Sequence, residues 1–347
     1  MALFCEVLDM KIYAPAYYRD FKCIASDCPD SCCHGWTVDI DEAAAARYLA
    51  MPGSLGDKLR RHLKRENWGW VLTLEENGRC PMWREDGLCR IHAEAGEEAL
   101  SQVCAAFPRL RHDYGSFQEL GLELSCPEAA RLIFENRDYS LQESSSPAEE
   151  EADYDEEAMA TLLRTRRELL AFIGSRELPM AETLAVTLLY GYAVQEELDG
   201  GEAAALDAGG CLAAARECAG EGDSAALLRF FQGLEILTPE WKKRLSGPIS
   251  REMPEALRPM LAYFINRYYL QAVSDYDIVC RIKLAVVSCL AVALLGGDTV
   301  ATAQQYSKEI ENDPDNVEAL LDGAYTAPGL TDRNLIGLLL NKTPKIS

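Results

Sequence analysis

From about residue 155 onward the apolar positions recur at helical spacing. Within 158–173, Met159, Leu162, Leu163, Leu169, Leu170 and Phe172 fall largely three, four and seven apart, which places them on one face of a helix. The pattern returns over 184–197 and again over 225–237, where the pair Thr238-Pro239 ends it. Residues 255–295 predict two helices divided near Ser274-Asp275, and 299–319 predicts another that Pro314, after Asn312-Asp313, breaks into two shorter pieces. A short apolar helix is predicted over 332–340. The C-terminal half therefore reads as an all-α bundle.

The N-terminal third has no such rhythm. Its short apolar runs are cut by Cys28-Pro29-Asp30, Asn77-Gly78, Cys80-Pro81, Asp86-Gly87, Phe107-Pro108 and Cys126-Pro127, the punctuation of a loop-rich segment. Only 72–75 and 118–125 alternate apolar with polar as strands do. Such a segment needs something other than a large apolar core to hold it, which metal ligation would supply. The expected fold class is mainly α. It comprises a loop-rich, cysteine-cluster metal-binding domain over 1–140, an acidic linker or loop over 141–157 and a helical domain over 158–347. The linker rests on 143–157, which holds eight acidic residues in fifteen, three serines and a proline.

Charge narrows the partners. The 347 residues carry 34 Lys and Arg against 56 Asp and Glu, a net charge of −22. That excess repels phosphate backbones and anionic lipid, so no nucleic acid and no membrane surface is expected as a general partner. The most apolar stretch, 278–295, contains Arg281 and Lys283. Each costs about 2.5–3.5 kcal/mol near the middle of a bilayer, so the stretch reads as a buried helix. No basic leader opens the chain, and a cytoplasmic location is expected. The basic run Lys58, Arg60, Arg61, Lys64, Arg65 reads as a solvated helix face.

Of the 13 cysteines, Cys5, Cys211, Cys218, Cys280 and Cys289 stand apart and read as small core residues. The other eight fall within 23–126. They run Cys23-x4-Cys28-x3-Cys32-Cys33-His34-Gly35-Trp36, then Cys80-Pro81-x-Trp83-x5-Cys89-x-Ile91-His92, then Cys104 and Cys126. In a reducing compartment closely spaced thiols are metal ligands more often than disulfides, and an odd total does not pair off. Cys23, Cys28, Cys32, Cys33, Cys80, Cys89, Cys104 and Cys126 are thus the expected metal ligands. Thiolate selects zinc, copper(I) or iron–sulfur clusters. The adjacent Cys32-Cys33 pair is awkward for one tetrahedral zinc, whereas an iron–sulfur site tolerates more spacings, and the spacing leaves both open. His34 and His92 either ligate or steady a sulfur by hydrogen bonding.

The run Tyr18-x2-Phe21-x-Cys23-x4-Cys28-x-Asp30-Ser31-Cys32-Cys33-x-Gly35-Trp36 resembles the flagellin lysine N-methylases of the FliB type. So do Gly78-x-Cys80-Pro81, Leu88-Cys89-x-Ile91, Cys104-x2-Phe107-Pro108-Arg109 and Ser125-Cys126-Pro127-Glu128. The part from 28 to 108 also resembles the wider zinc- or iron-chelating cysteine-cluster domains. Tyr306-Ser307-Lys308-Glu309-Ile310-Glu311 with Asn316 is similar to the C-terminal signature of the methylases, which extends the resemblance over nearly the whole chain. Asn312-Asp313 stand where the family pattern has a histidine and a serine. The resemblance implies methyl transfer from S-adenosylmethionine to lysine amines of flagellin, with a [4Fe–4S] cluster held by the cysteines and zinc as the alternative.

The residues qualify that picture. No glycine-rich turn follows a strand as in conventional methyltransferases. Cys28-x3-Cys32 fits the first gap of the radical enzymes' C-x3-C-x2-C, but Gly35 stands where the third cysteine belongs, so the donor site is expected to be atypical. An unperturbed lysine has a pKa of about 10.4 and must lose a proton before it is methylated. Tyr306, Glu309 and Glu311 are the candidates for that role, with a solvated helix face as the plainer alternative. Glu309 and Glu311, two apart on a helix, are not expected to face one site. The aromatic stretch 13–21 is a further candidate or simply core. The competing function is a non-enzymatic, zinc-stabilised protein-binding module, and a third is a redox-sensing cluster.

Overall fold

The computed structural model describes residues 9–147 and 153–341, so Cys5, the opening residues and 148–152 of the acidic stretch lie outside the described residues. The N-terminal part runs β1 (Asp9–Pro15), β2 (Val38–Ile40), α1 (Glu42–Ala50), α2 (Gly53–His62), β3 (Leu63–Arg65) and β4 (Trp70–Leu72). It continues through α3 (Arg90–Ala95), α4 (Gln102–Ala106), β5 (Arg109–Asp113), β6 (Phe117–Leu122), α5 (Pro127–Glu135) and β7 (Leu141–Pro147). One sheet has the order β5-β6-β1-β7 and the other β2-β4-β3. In the first, Ile12 of β1 lies opposite Gln118 of β6 in parallel and opposite Ser144 of β7 in antiparallel.

Local chemistry explains several of these elements. Asp41 caps α1 by accepting from the Ala44 N–H at 2.8 Å, and its other oxygen accepts from Gln102 N–H at 2.9 Å, so one carboxylate fixes α4 against α1. Pro127 opens α5 at its first turn, where a missing N–H costs nothing. The basic run lies on α2 and β3, where Arg60 pairs with Asp57 and Arg65 with Glu42 at the surface.

The helical part follows as α6 (Glu156–Ser175), α7 (Met180–Leu198), α8 (Ala208–Cys218), α9 (Ser224–Gln232) and α10 (Pro239–Leu245). Then come α11 (Arg258–Tyr268), α12 (Ile278–Leu295), α13 (Thr299–Ile310), α14 (Pro314–Thr326) and α15 (Asp332–Leu340). Part of the acidic excess serves here as helix caps: Asp155, Asp207, Asp223, Asp277, Asp298 and Asp313 each accept a backbone N–H at a helix start. A cap of this kind contributes about 1 kcal/mol. Helix α12 is long and apolar enough to cross a membrane, but 89% of it is buried within the fold. Its charged residues are paired there, Lys283 with Asp332 at 2.9 Å and Arg281 with Asp275 at 2.8 Å. The two parts are joined by a buried ion pair in which Arg166 of α6 donates to both oxygens of Glu119 of β6, at 2.8 and 2.5 Å.

The expected fold class is corrected in its N-terminal half. That half is not a loop-rich segment held by metal: it carries all seven strands described, in two sheets. It also has an apolar core of its own, in which Val38, Ile40, Tyr48, Leu55, Leu59, Leu72, Met82 and Ile91 pack together. Burial of such side chains contributes about 1.5–3 kcal/mol each, so metal ligation is not required to hold the segment. The stretch assigned to an acidic linker begins as strand β7, because Leu141–Pro147 pairs along the whole of β1. The expected strand at 118–125 corresponds to β6, and that at 72–75 only touches the end of β4. In the helical half, the helix expected over 225–237 already ends at Gln232, with Gly233 as its C-cap, and Thr238-Pro239 instead starts the next one, Thr238 capping α10 and Pro239 occupying its first turn.

Candidate functional site

The cysteine loops come together around a backbone junction. Residues 33–35 lie along 78–80, with Gly35 N–H donating to Gly78 C=O at 3.0 Å and Cys80 N–H to Cys33 C=O at 2.7 Å. Cys89 begins α3, Cys104 sits in α4, and Cys126 immediately precedes α5. The thiols of Cys32, Cys33 and Cys80 are near neighbours, and Cys89 and Cys104 lie close enough to share their electrostatics. Cys23, Cys28 and Cys126 form a second neighbourhood.

Cys28, Cys32, Cys33, Cys89, Cys104 and Cys126 are pushed above the ordinary thiol value. Burial pushes Cys104 up to about 11 and Cys126 up to about 12. The hydrogen bond from Cys33, with burial, raises Cys32 further. Among the described residues no three His, Cys, Asp or Glu side chains converge as a metal-binding group. His34 turns its ring toward Trp83, at 6.2 Å between centroids, and also lines the cleft described next.

That cleft, of about 560 Å³, opens between the cysteine loop at 29–34 and the helices α10 and α13. A volume of this size suits a side chain or a small ligand. Asp298 caps α13 at one end, and the helix presents Gln304, Lys308 and Glu309 along the cleft. Its lining contains the carboxylates of Asp30, Glu240, Asp298 and Glu309 against the cations Arg244 and Lys308, four against two.

Two polar clusters define the cleft wall. Lys308 donates to both oxygens of Asp30, at 2.8 and 2.7 Å, and to Ser31 C=O at 3.3 Å. Gln304 donates to Asp30 at 3.0 Å and to Ser125 C=O at 2.6 Å. Burial pushes the Asp30 carboxyl up, but the Lys308 charge and the hydrogen bonds outweigh it and hold the group below its ordinary value. Glu309 is completely buried. It accepts from the Thr238 hydroxyl and from Leu237 N–H at 2.8 Å and Thr238 N–H at 3.3 Å. Burial raises its carboxyl above the usual range despite those bonds, which makes it the stronger proton acceptor.

The structure separates the three acid–base candidates. Only Glu309 lines the cleft. Tyr306 is buried among Phe231, Trp241 and Phe264, its hydroxyl 2.8 Å from that of Ser288. Glu311 faces α11, accepting from Tyr263, Tyr268 and Ser307 beside Arg267. The aromatic stretch packs instead: Tyr17, Tyr18 and Phe21 join Leu122 and Ala129 in a small core. Sequence reasoning did not name Asp30, Lys308, Gln304 or Arg244 as site residues. Asp30 and Lys308 stand 278 positions apart, and nothing local marks their pairing.

Comparison with characterised proteins gives the cleft its context. The chain is 33% identical over 136 residues to the flagellar biosynthetic protein FliU of Salmonella muenchen, covering 80% of that protein and 38% of this one. The chain belongs to the FliB/FliU family. Lysine-N-methylases of Salmonella choleraesuis and Salmonella typhimurium are also 33% identical over 136 residues. The match spans 34% of each methylase, about a third of its length. The kinship with the FliB/FliU family thus extends over 38% of this chain, less than the nearly full-length resemblance expected from the motifs. No protein-family model and no solved structure matches.

Proposed function

We propose that the protein is a lysine N-methyltransferase acting on flagellin, with S-adenosylmethionine as donor and the acidic cleft as the acceptor-lysine site. The observation that carries this reading is the buried Glu309 carboxyl, raised by burial, in a cleft of net negative lining. The names of the FliB/FliU relatives support the activity and the flagellar substrate. A cationic lysine is drawn to such a lining. A desolvated carboxylate beside it accepts the ammonium proton, and the freed amine then displaces S-adenosylhomocysteine from the methyl carbon. The new bond is N–C, the broken bond C–S, and the proton remains on the protein until released to water. No step is assigned to an iron–sulfur cluster.

The test is incubation of the purified full chain with flagellin and methyl-labelled S-adenosylmethionine, followed by peptide mass spectrometry. Addition of methyl mass to lysine residues is the expected result. Flagellin that binds but gains no methyl would instead favour a non-enzymatic binding protein.

A further inference from the structure

The cleft already holds a lysine. The Lys308 stem passes Gly35 so closely that a Cβ there would lie 3.3 Å from its Cε and 3.3 Å from Thr238 Cγ2. Gly35 has φ +90°, a conformation that glycine adopts without strain. The stem therefore lies in a slot that the absence of a side chain leaves open, and its ammonium ends on a carboxylate with both oxygens engaged and on a backbone carbonyl. A site for a lysyl side chain needs these same parts: a narrow apolar passage and hydrogen-bond acceptors of negative charge at its end.

We propose that Asp30 is the ammonium-binding residue of a lysyl side-chain slot, and that Lys308 occupies this slot in the resting protein and is exchanged for the substrate lysine. The inference deepens the proposed acceptor role of the cleft and rests on it. Exchange of one primary ammonium for another leaves the half-buried Asp30 paired throughout, which avoids the cost of an uncompensated, partly desolvated charge. The displaced Lys308 faces the open cavity, whose rim carries the exposed carboxylates of Glu240 and Asp298. Arg244 does not compete for Asp30, since it is anchored on Gln305, Gly296 C=O and Thr302. Lys308 thus acts as a built-in competitor that lowers apparent affinity until substrate displaces it.

The test uses the full chain and the peptide acetyl-Gly-Lys-Gly-amide, with its norleucine counterpart as neutral isostere, followed by isothermal titration calorimetry. Lys308→Met is expected to bind the lysine peptide at least about tenfold more tightly than the unaltered protein. Adding Asp30→Asn to that variant is expected to abolish binding, and the norleucine peptide is expected not to bind. Equal affinity of Lys308→Met and the unaltered protein, or equal binding of both peptides, overturns the proposal. A second measurement needs no variant: a short acetic anhydride pulse, with labelling of Lys308 read against Lys242 and Lys243. The lysine peptide is expected to raise Lys308 labelling saturably and the norleucine peptide is not. Unchanged labelling at peptide concentrations that saturate binding also overturns it. If the peptide behaves as expected while flagellin gains no methyl, the slot stands and the catalytic reading falls. If flagellin is methylated without these peptide effects, the catalytic reading stands and the slot falls.

Discussion

Helix α13 carries two buried charged clusters on different faces, and they differ in what surrounds them. On one face Glu311 accepts from Tyr268 at 2.9 Å, Tyr263 at 3.1 Å and Ser307 at 2.5 Å, with Arg267 at 3.3 Å closing the network. The Glu311 side chain is 1% exposed and does not border the large cleft. On the other side Asp30 and Lys308 are as well bonded but border an open volume of about 560 Å³, with the fully buried Glu309 in its wall. Buried charge alone therefore does not mark a functional site. The enclosed cluster fastens α13 to α11, while the open one keeps similar chemistry within reach of a ligand.

The largest expected effect breaks the enclosed cluster. Arg267→Met removes the cation from Glu311 and a hydrogen-bond donor from Tyr263, which Arg267 reaches at 2.6 Å. Loss of one partner of a buried pair costs about 3–5 kcal/mol, read as a lowered urea midpoint. Methyl transfer per folded molecule is expected to be unchanged, and a specific loss of transfer would place this cluster in the site. The converse variant, Glu309→Gln, keeps an acceptor for Thr238 but removes the base. Methyl transfer to flagellin is expected to fall by about 100-fold or more while stability changes by about 1–2 kcal/mol or less. Retained activity would remove Glu309 from the mechanism.

The two clusters were unequally legible in the sequence. Helical periodicity marks α13, Pro314 marks its break from α14, and the two-residue separation of Glu309 and Glu311 places them apart on the helix. Which face would be open depends on the cysteine loop docking through Asp30, a contact set by the tertiary fold. The N-terminal half departs from its sequence pattern for a related reason. Strand β1 is half-buried, and its partner β7, LQESSSP, has a polar composition that reads as a linker. Its strand form comes from its pairing with β1, since β propensity depends strongly on context. The cysteine spacing brought the right loops to attention, but spacing does not reveal which way each sulfur points.

A smaller effect tests the slot wall. Gly35→Ala introduces a Cβ at φ +90° with two contacts at 3.3 Å, so strain in the left-handed region of about 1–2 kcal/mol is expected. The same Cβ narrows the passage beside Lys308. Lysine-peptide affinity in calorimetry is expected to fall along with the thermal midpoint, whereas Gly53→Ala has open space around its Cβ, so strain there is expected to lower the midpoint without changing peptide affinity. Equal affinity losses at the two positions would mean that Gly35 contributes backbone freedom alone.

The smallest expected effect is a pH dependence. Asp30 is held below its ordinary value of 3.8 when folded, so its contribution to stability is fully present above the unfolded pKa and is lost as pH falls through the folded one. Glu309 is raised above 4.5, so its contribution has the opposite sign: it is present at acid pH and is lost as pH rises through the folded pKa. Asp30→Asn is therefore expected to be less stable than the unaltered protein at neutral pH, with the gap closing on acidification below about pH 4. Glu309→Gln is expected to gain relative stability as the pH rises from acid toward neutral. Urea unfolding at a series of pH values reads both curves. Parallel curves for the unaltered protein and Asp30→Asn would mean that the Lys308 pair does not hold the Asp30 proton off, and the ammonium subsite would lose its electrostatic basis.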